Sequence, residues 1–187
     1  MEYDHGFLES TSTPIATGLK ADITVRPANV DSALSLADVF SSDDSILSID
    51  SIDGDGFQVT ANQAGTATVY VESDFGADNF TLMSKEIASI NFSDIIHGDE
   101  DAYPVVGSNI IIGRQLYDAD GGALTGFGVT DIGISPVGNV TLVDDTYQES
   151  LILQVNTAGD FTLEYGETTK DYRAIELDEV TDWVVQV

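Results

Sequence analysis

The chain has 187 residues, with 33 acidic residues against six basic ones, a formal charge of -27 and no cysteine. The missing cysteine excludes a disulfide scaffold, thiol catalysis, and zinc or iron–sulfur sites built on Cys ligands. The charge argues against nucleic acid and anionic membranes as partners, because so negative a surface repels both.

Hydrophobic residues make up 42% of the chain, near the globular norm, so the acidity does not imply disorder. No segment approaches the roughly 20 continuous apolar residues of a helical membrane span. Residues 1–94 hold 16 acids and three bases, and residues 95–187 hold 17 and three. Acidity spread so evenly is not a tail. It is either a solubilising surface, suited to a saline habitat where salt screens repulsion, or a store of ligands for divalent cations.

The opening, Met1-Glu2-Tyr3-Asp4-His5, lacks the basic stretch and apolar core of a signal peptide. These residues fit either a cytosolic protein or one whose leader has been removed. Ile23 and Val25 alternate with Thr24 and Arg26, as in a half-buried strand. Residues 30–40 have helix-like spacing at Val30, Leu34 and Ala37, read as a loop with one helical turn at most. Phe57, Val59 and Ala61 begin a new strand, and Phe80 and Leu82 follow a Gly76-Ala77-Asp78-Asn79 turn. His97-Gly98-Asp99-Glu100-Asp101 reads as an acidic loop near a domain junction. Ile110, Ile112 and Leu116 precede the turn Asp118-Ala119-Asp120-Gly121-Gly122. Ile132 and Ile134, Val140 and Leu142, and Leu151, Leu153 and Val155 mark further strands, and Trp183, Val185 and Val187 share a face at the end. Short strands with turn signals every 8–12 residues or so indicate a sandwich or a barrel, and strands with one polar face suit antiparallel sheets that each bury one side.

An internal repeat underlies this pattern. Asn62-Gln63-Ala64-Gly65-Thr66-Ala67-Thr68-Val69 aligns with Asn156-Thr157-Ala158-Gly159-Asp160-Phe161-Thr162-Leu163 at an offset of 94. Glu86-Ile87-Ala88-Ser89-Ile90 aligns more weakly with Glu179-Val180-Thr181-Asp182-Trp183 at an offset of 93. The second match is either a further repeat boundary or a coincidence of Val/Ile-rich strands.

Three stretches carry a family resemblance. They are Ser42-Asp43-Asp44-Ser45-Ile46-Leu47-Ser48-Ile49-Asp50, then Gly56-Phe57-Gln58-Val59-Thr60-Ala61, then Ala64-Gly65-Thr66-Ala67-Thr68-Val69. Together they resemble the second half of a bacterial immunoglobulin-like domain, the tandem module of invasin- and intimin-type surface proteins. In the second copy, Ile87-Ala88-Ser89-Ile90 resembles the opening strand of that domain, and residues 116–126 resemble its strand–turn–strand. The Trp common after the Asp-x-Asp-Gly turn is replaced by Val129-Thr130-Asp131, and the Ser-Ser-Asp run by Ser135-Pro136-Val137-Gly138, so the second copy is a divergent one.

The expected fold is therefore all-β, two tandem immunoglobulin-like β-sandwiches over residues 1–85 and 86–187, with the first ~13 residues disordered. The resemblance implies an extracellular, cell-surface or periplasmic setting, a non-enzymatic role as spacer, stalk or adhesion module, and neighbouring immunoglobulin-like repeats or a surface protein or glycan as partners. The alternatives are a calcium-dependent binding module for glycan or protein, and an accessory domain of a surface enzyme.

Enzyme chemistry finds little footing. A serine triad needs a base, and only His5 and His97 exist, with no Gly-x-Ser-x-Gly elbow. There is no Gly-x-x-x-x-Gly-Lys phosphate loop. Carboxylate pairs for glycoside hydrolysis are too many among 33 acids to be informative. No cofactor is required. Calcium is the one cofactor the acidic turns could take, since it uses carboxylate and carbonyl oxygens. The candidate ligands are Asp50, Asp53 and Asp55 around two glycines, Asp99 and Asp101 in the acidic loop, and Asp118 and Asp120 in the later turn. Each has a plainer reading, because Asp and Gly are also the ordinary residues of tight turns. No register around residues 50–56 places Gly and Glu as an EF-hand loop does.

Overall fold

The computed structural model describes residues 3–4, 13–27, 35–74, 76–95, 103–128, 131–144 and 150–181. Nearly all of its regular structure is strand. In chain order the strands are β1 (Tyr3–Asp4), β2 (Ile15–Ala16), β3 (Lys20–Thr24), β4 (Arg26–Pro27), β5 (Leu36–Ser41), β6 (Leu47–Asp53), β7 (Gly56–Ala61), β8 (Gly65–Ser73) and β9 (Gly76–Lys85). They continue as β10 (Ser89–Ile95), β11 (Asn109–Tyr117), β12 (Ala123–Leu124), β13 (Gly133–Ser135), β14 (Val140–Asp144), β15 (Ser150–Val155), β16 (Gly159–Tyr165) and β17 (Thr168–Ala174). A single 3₁₀ turn follows at Leu177–Glu179.

The chain divides into two compact units. One comprises residues 1–88 and 116–130, and the other residues 89–115 and 131–187. The strand–turn–strand expected over residues 116–126 thus falls within the segment of the second half that belongs to the first unit.

In the first unit one sheet runs β2-β9-β8-β5 and a second β3-β7-β6, while β1 and β4 pair as a two-stranded ribbon. The alternation of the sequence produces them. Along β8, Ala67, Val69 and Val71 are buried while Thr66, Tyr70 and Glu72 are exposed. Along β7, Phe57, Val59 and Ala61 are buried in the same way. These faces meet Ile23, Val39, Leu47 and Leu82 in one apolar cluster drawn from both sheets. Burying each large side chain of this kind contributes about 1.5–3 kcal/mol, which is what a chain without disulfides must rely on. The two sheets enclose that cluster as in an immunoglobulin-like sandwich. The loop expected over residues 30–40 is a correction: residues 36–41 form β5, paired antiparallel with β8. A bulge between Leu36 and Asp38 breaks the two-residue period there, so the buried residues Leu36 and Val39 are three apart. Residues 30–34 of that segment lie outside the described residues.

In the second unit β10-β11-β15-β14 form one sheet and β13-β16-β17 another. Ile110, Ile112, Leu151, Leu153 and Val155 are buried on the first, and Phe161, Leu163, Tyr172 and Ala174 on the second. The Tyr172 hydroxyl, on β17, donates to the Ser93 carbonyl on β10 at 2.7 Å and so ties the two sheets. Phe161 stacks on Tyr172 with ring centroids 5.3 Å apart.

The repeat is written into the hydrogen bonds of each unit. Asn62 donates from Nδ2 to the Asp44 carbonyl (2.8 Å) and Ser48 Oγ (3.0 Å). Asn156 donates likewise to the Gly138 carbonyl (3.1 Å) and Thr141 Oγ1 (2.7 Å). Each Asn therefore staples its turn to the start of the neighbouring strand, β6 or β14. Gly65 and Gly159 follow at φ 156° and 122°, conformations that L side chains rarely adopt. The main chain repeats too. Gly18 N–H donates to the Ala61 carbonyl and Ala61 N–H to the Leu19 carbonyl, as Gly107 does to Val155 and Val155 to Ser108.

Candidate functional site

The proposed ligands around the first acidic turn are separated by a bulge. In the β6–β7 ladder Ile49 pairs with Val59 and Ser51 with Gln58, so Asp50 is the extra residue. Its carboxylate accepts from Thr60 Oγ1 at 2.6 Å and pairs with Lys20 Nζ at 2.8 Å. Partial burial pushes its pKa up, but the Lys20 and Thr60 contacts outweigh this and hold it below the usual carboxylate value. Asp53 pairs with Gly56 to close the two-residue hairpin loop Gly54-Asp55, and Asp55 lies within that loop. The carbonyl of Asp55 accepts from the Val25 N–H at 2.8 Å. The turn thus does main-chain work, while Asp50 is committed to the sheet. Asp99 and Asp101 lie outside the described residues.

Asp118 is the most constrained of the candidates. It is only 7% exposed, although it sits in the turn over residues 118–122. Its Oδ1 accepts from the N–H groups of Asp120 (3.0 Å) and Gly122 (2.7 Å). Its Oδ2 forms an ion pair with Lys85, the last residue of β9. A side chain at position 122 would crowd that carboxylate, since a Cβ there would lie 2.9 Å from Oδ2. The Lys85 hydrogen bond first, then the Gly122 and Asp120 N–H groups, hold the Asp118 pKa below its ordinary value against the cost of burial. The Lys85 pKa is raised by the hydrogen bond to Asp118 and by the charges of Asp118 and Asp120. Asp120 itself is exposed and contributes its N–H and its field.

The rest of the segment is built into the first unit. Thr125 N–H donates to the Pro14 carbonyl (2.9 Å), and Ala16 N–H to the Thr125 carbonyl (2.8 Å). Phe127 and Lys20 exchange both main-chain bonds, at 2.8 and 2.9 Å. Leu124 and Phe127 are each 7% exposed. Between Thr125 and Phe127, Gly126 at φ 138° lies over Leu19, where a Cβ would come within 2.9 Å of the Leu19 Cβ. Only glycine tolerates both the conformation and the approach.

Among the described residues no group of three His, Cys, Asp or Glu side chains is placed to hold a metal ion. The arrangement at Asp118 is chemically a lock: one carboxylate, three donors and a buried setting. Sequence reasoning put Asp118 in its turn and missed its partner. The available signal was Lys85 itself, a rare base placed directly before the second repeat in a chain with six bases. Lys20 and Thr60, the partners of Asp50, were missed for the same reason: strand pairing, not sequence distance, brings them together.

No family model matches the chain, and no curated protein matches it. Solved structures similar to it include domains 5-6 of the S-layer protein SbsC, at 16% identity and a TM-score of 0.41 over 95% of this chain and 97% of that one. The adhesin FdeC of Escherichia coli is similar at 14% identity and a TM-score of 0.41 over 86% of this chain and 61% of that one. InvD of Yersinia pseudotuberculosis is similar at 13% identity and a TM-score of 0.35 over 95% and 59%. The chain spans 30% of the longer SbsC structure of domains 4-9. No helix among the described residues is long and apolar enough to cross a membrane.

Proposed function

We propose that the chain is a non-enzymatic pair of immunoglobulin-like modules from an exported bacterial surface protein, acting as spacer or stalk. The observation that carries this reading is the lending of residues 116–130 by the second half to the first unit, locked by Lys85 and Asp118. A loop meant to meet a ligand keeps its polar groups available. Here the carboxylate of Asp118 and the main chain of Thr125 and Phe127 are spent inside the fold. The lent segment is bracketed in sequence by residues of the second unit, so the first unit lacks part of its chain without the second half. That suits a mechanical module, whose task is to persist and hold other parts at a distance. The sequence resemblance to tandem surface domains supports the same role, and the acidity keeps such modules soluble and apart.

Stretching single molecules between the two termini tests it. The reading expects one dominant unfolding force for the first unit, lowered by Lys85→Met and by Asp118→Asn. Extension at low force with no resolvable barrier, unchanged by either substitution, would contradict it.

A further inference from the structure

The outer face of the β5–β8 pair carries a feature the spacer role does not use. Phe40 and Tyr70 are cross-strand partners, stacked with ring centroids 4.9 Å apart and planes at 14°. Both are exposed, at 45% and 38%. Stacking occupies one face of each ring; Phe40 lies on β5 at the end of the sheet order, while Tyr70 has Asn79 of β9 on its other side. The next outward pair along the same ladder is Asp38 and Glu72, again direct partners and both exposed. Like charges directly opposite each other in a sheet are unfavourable without a counter-charge. Lys20, Lys85, Lys170 and Arg173 form their ion pairs elsewhere, with Asp50, Asp118, Asp94 and Asp160.

We infer that this face, Phe40, Tyr70, Asp38 and Glu72, is a docking surface for an arginine-bearing segment of another protein. Charge complementarity chooses the occupant. A second copy of a chain with charge -27 is repelled, and an anionic polymer more so. A guanidinium lies flat on an aromatic face and also meets a carboxylate through paired N–H donors, and this face offers both within one two-strand block. Lysine supplies charge without the planar fork, so it is the weaker ligand here. The inference goes beyond the spacer reading and does not rest on it.

The test titrates the full chain with a capped (Arg-Gly)₄ peptide, a (Lys-Gly)₄ peptide and a neutral oligosaccharide at physiological salt. Binding is read by calorimetry and by backbone amide shifts. The inference expects the arginine peptide to bind at least tenfold more tightly than the lysine peptide, with shifts centred on residues 38–40 and 70–72. Phe40→Ala with Tyr70→Ala, which leaves the charge untouched, is expected to weaken it at least tenfold. If that variant does not fold, Asp38→Asn with Glu72→Gln decides, against the charge-matched control Asp44→Asn with Asp131→Asn. Equal loss in the pair and the control, equal binding of both peptides, diffuse shifts, or preference for the neutral oligosaccharide would each overturn the inference.

Discussion

The buried carboxylate of Asp118 closes on Lys85, so the end of β9 in the first half is pinned to a turn that the sequence assigns to the second half. An ion pair at an exposed site would contribute little. This one also satisfies the Asp120 and Gly122 N–H groups, so removing the carboxylate strips three donors of their acceptor at once. Asp118→Ala is expected to lower the unfolding midpoint more than Lys85→Ala, because the second change leaves the turn's own bonds intact. Equal losses, or none, measured by thermal unfolding would show that the turn holds itself without Asp118.

Gly126 tests the docking of the lent segment from the other side. Gly126→Ala forces a side chain into the positive-φ half of conformational space and onto Leu19. A cost of about 1–3 kcal/mol is expected. Gly138, at φ 96° with open space around its Cβ position, is the control for backbone strain alone. If Gly138→Ala costs as much as Gly126→Ala, the contact with Leu19 contributes nothing.

The pH dependence has two limbs. Asp50 and Asp118 titrate below their unfolded value of about 4. Each contributes stability that is present above that value and is lost as pH falls through the folded-state pKa. Burial, and the charge of Asp94, push the Tyr172 phenol above its unfolded value of about 10. Its contribution is present below about pH 10 and is lost as pH rises through the folded-state pKa. Asp50→Asn and Asp118→Asn are therefore expected to flatten the acid limb of stability relative to the unsubstituted chain, and Tyr172→Phe the alkaline limb. Taking differences at each pH removes the general relief of repulsion in acid. Parallel curves for chain and variant would contradict the assignment of that limb.

The two stapling asparagines offer an internal comparison. Asn62→Ala and Asn156→Ala each remove a pair of bonds of the same kind, at the same place in the repeat. Each is expected to cost about 1 kcal/mol. A loss in one unit with no loss in the other, resolved by amide exchange, would mean that the shared sequence does not do shared work.

Much of the fold was legible in the sequence. The Asn-x-Ala-Gly repeat marked the matching turns because it encodes both a side-chain staple and a backbone conformation. The alternation in β7, β8 and β16 gave the buried faces directly. β5 was hidden by its bulge, and with it the exposed Phe40–Tyr70 pair. The candidate site was half visible. Asp118 could be placed in a turn from the local pattern, but the lending of residues 116–130 depends on pairing with Pro14, Ala16 and Lys20, roughly a hundred residues earlier. No local signal specifies that.

Calcium bears on the same carboxylates. With Asp50 held by Lys20 and Thr60, and Asp118 by Lys85 and two N–H groups, thermal unfolding is expected to respond equally to calcium and magnesium at matched ionic strength. A calcium-specific rise that vanishes on Asp99→Asn with Asp101→Asn would place a metal site in the acidic loop and favour the calcium-dependent binder over the spacer.

The most direct measurement is native-state hydrogen exchange at four amides: Ala16, Lys20, Thr125 and Phe127. All four are donors between the first unit's own chain and the lent segment. All four are expected to be protected, to open together with core amides of β7 and β8, and to lose protection together in Asp118→Ala. Thr125 and Phe127 exchanging at the rate of an open loop, while β7 and β8 stay protected, would contradict the claim that residues 116–130 are part of the first unit.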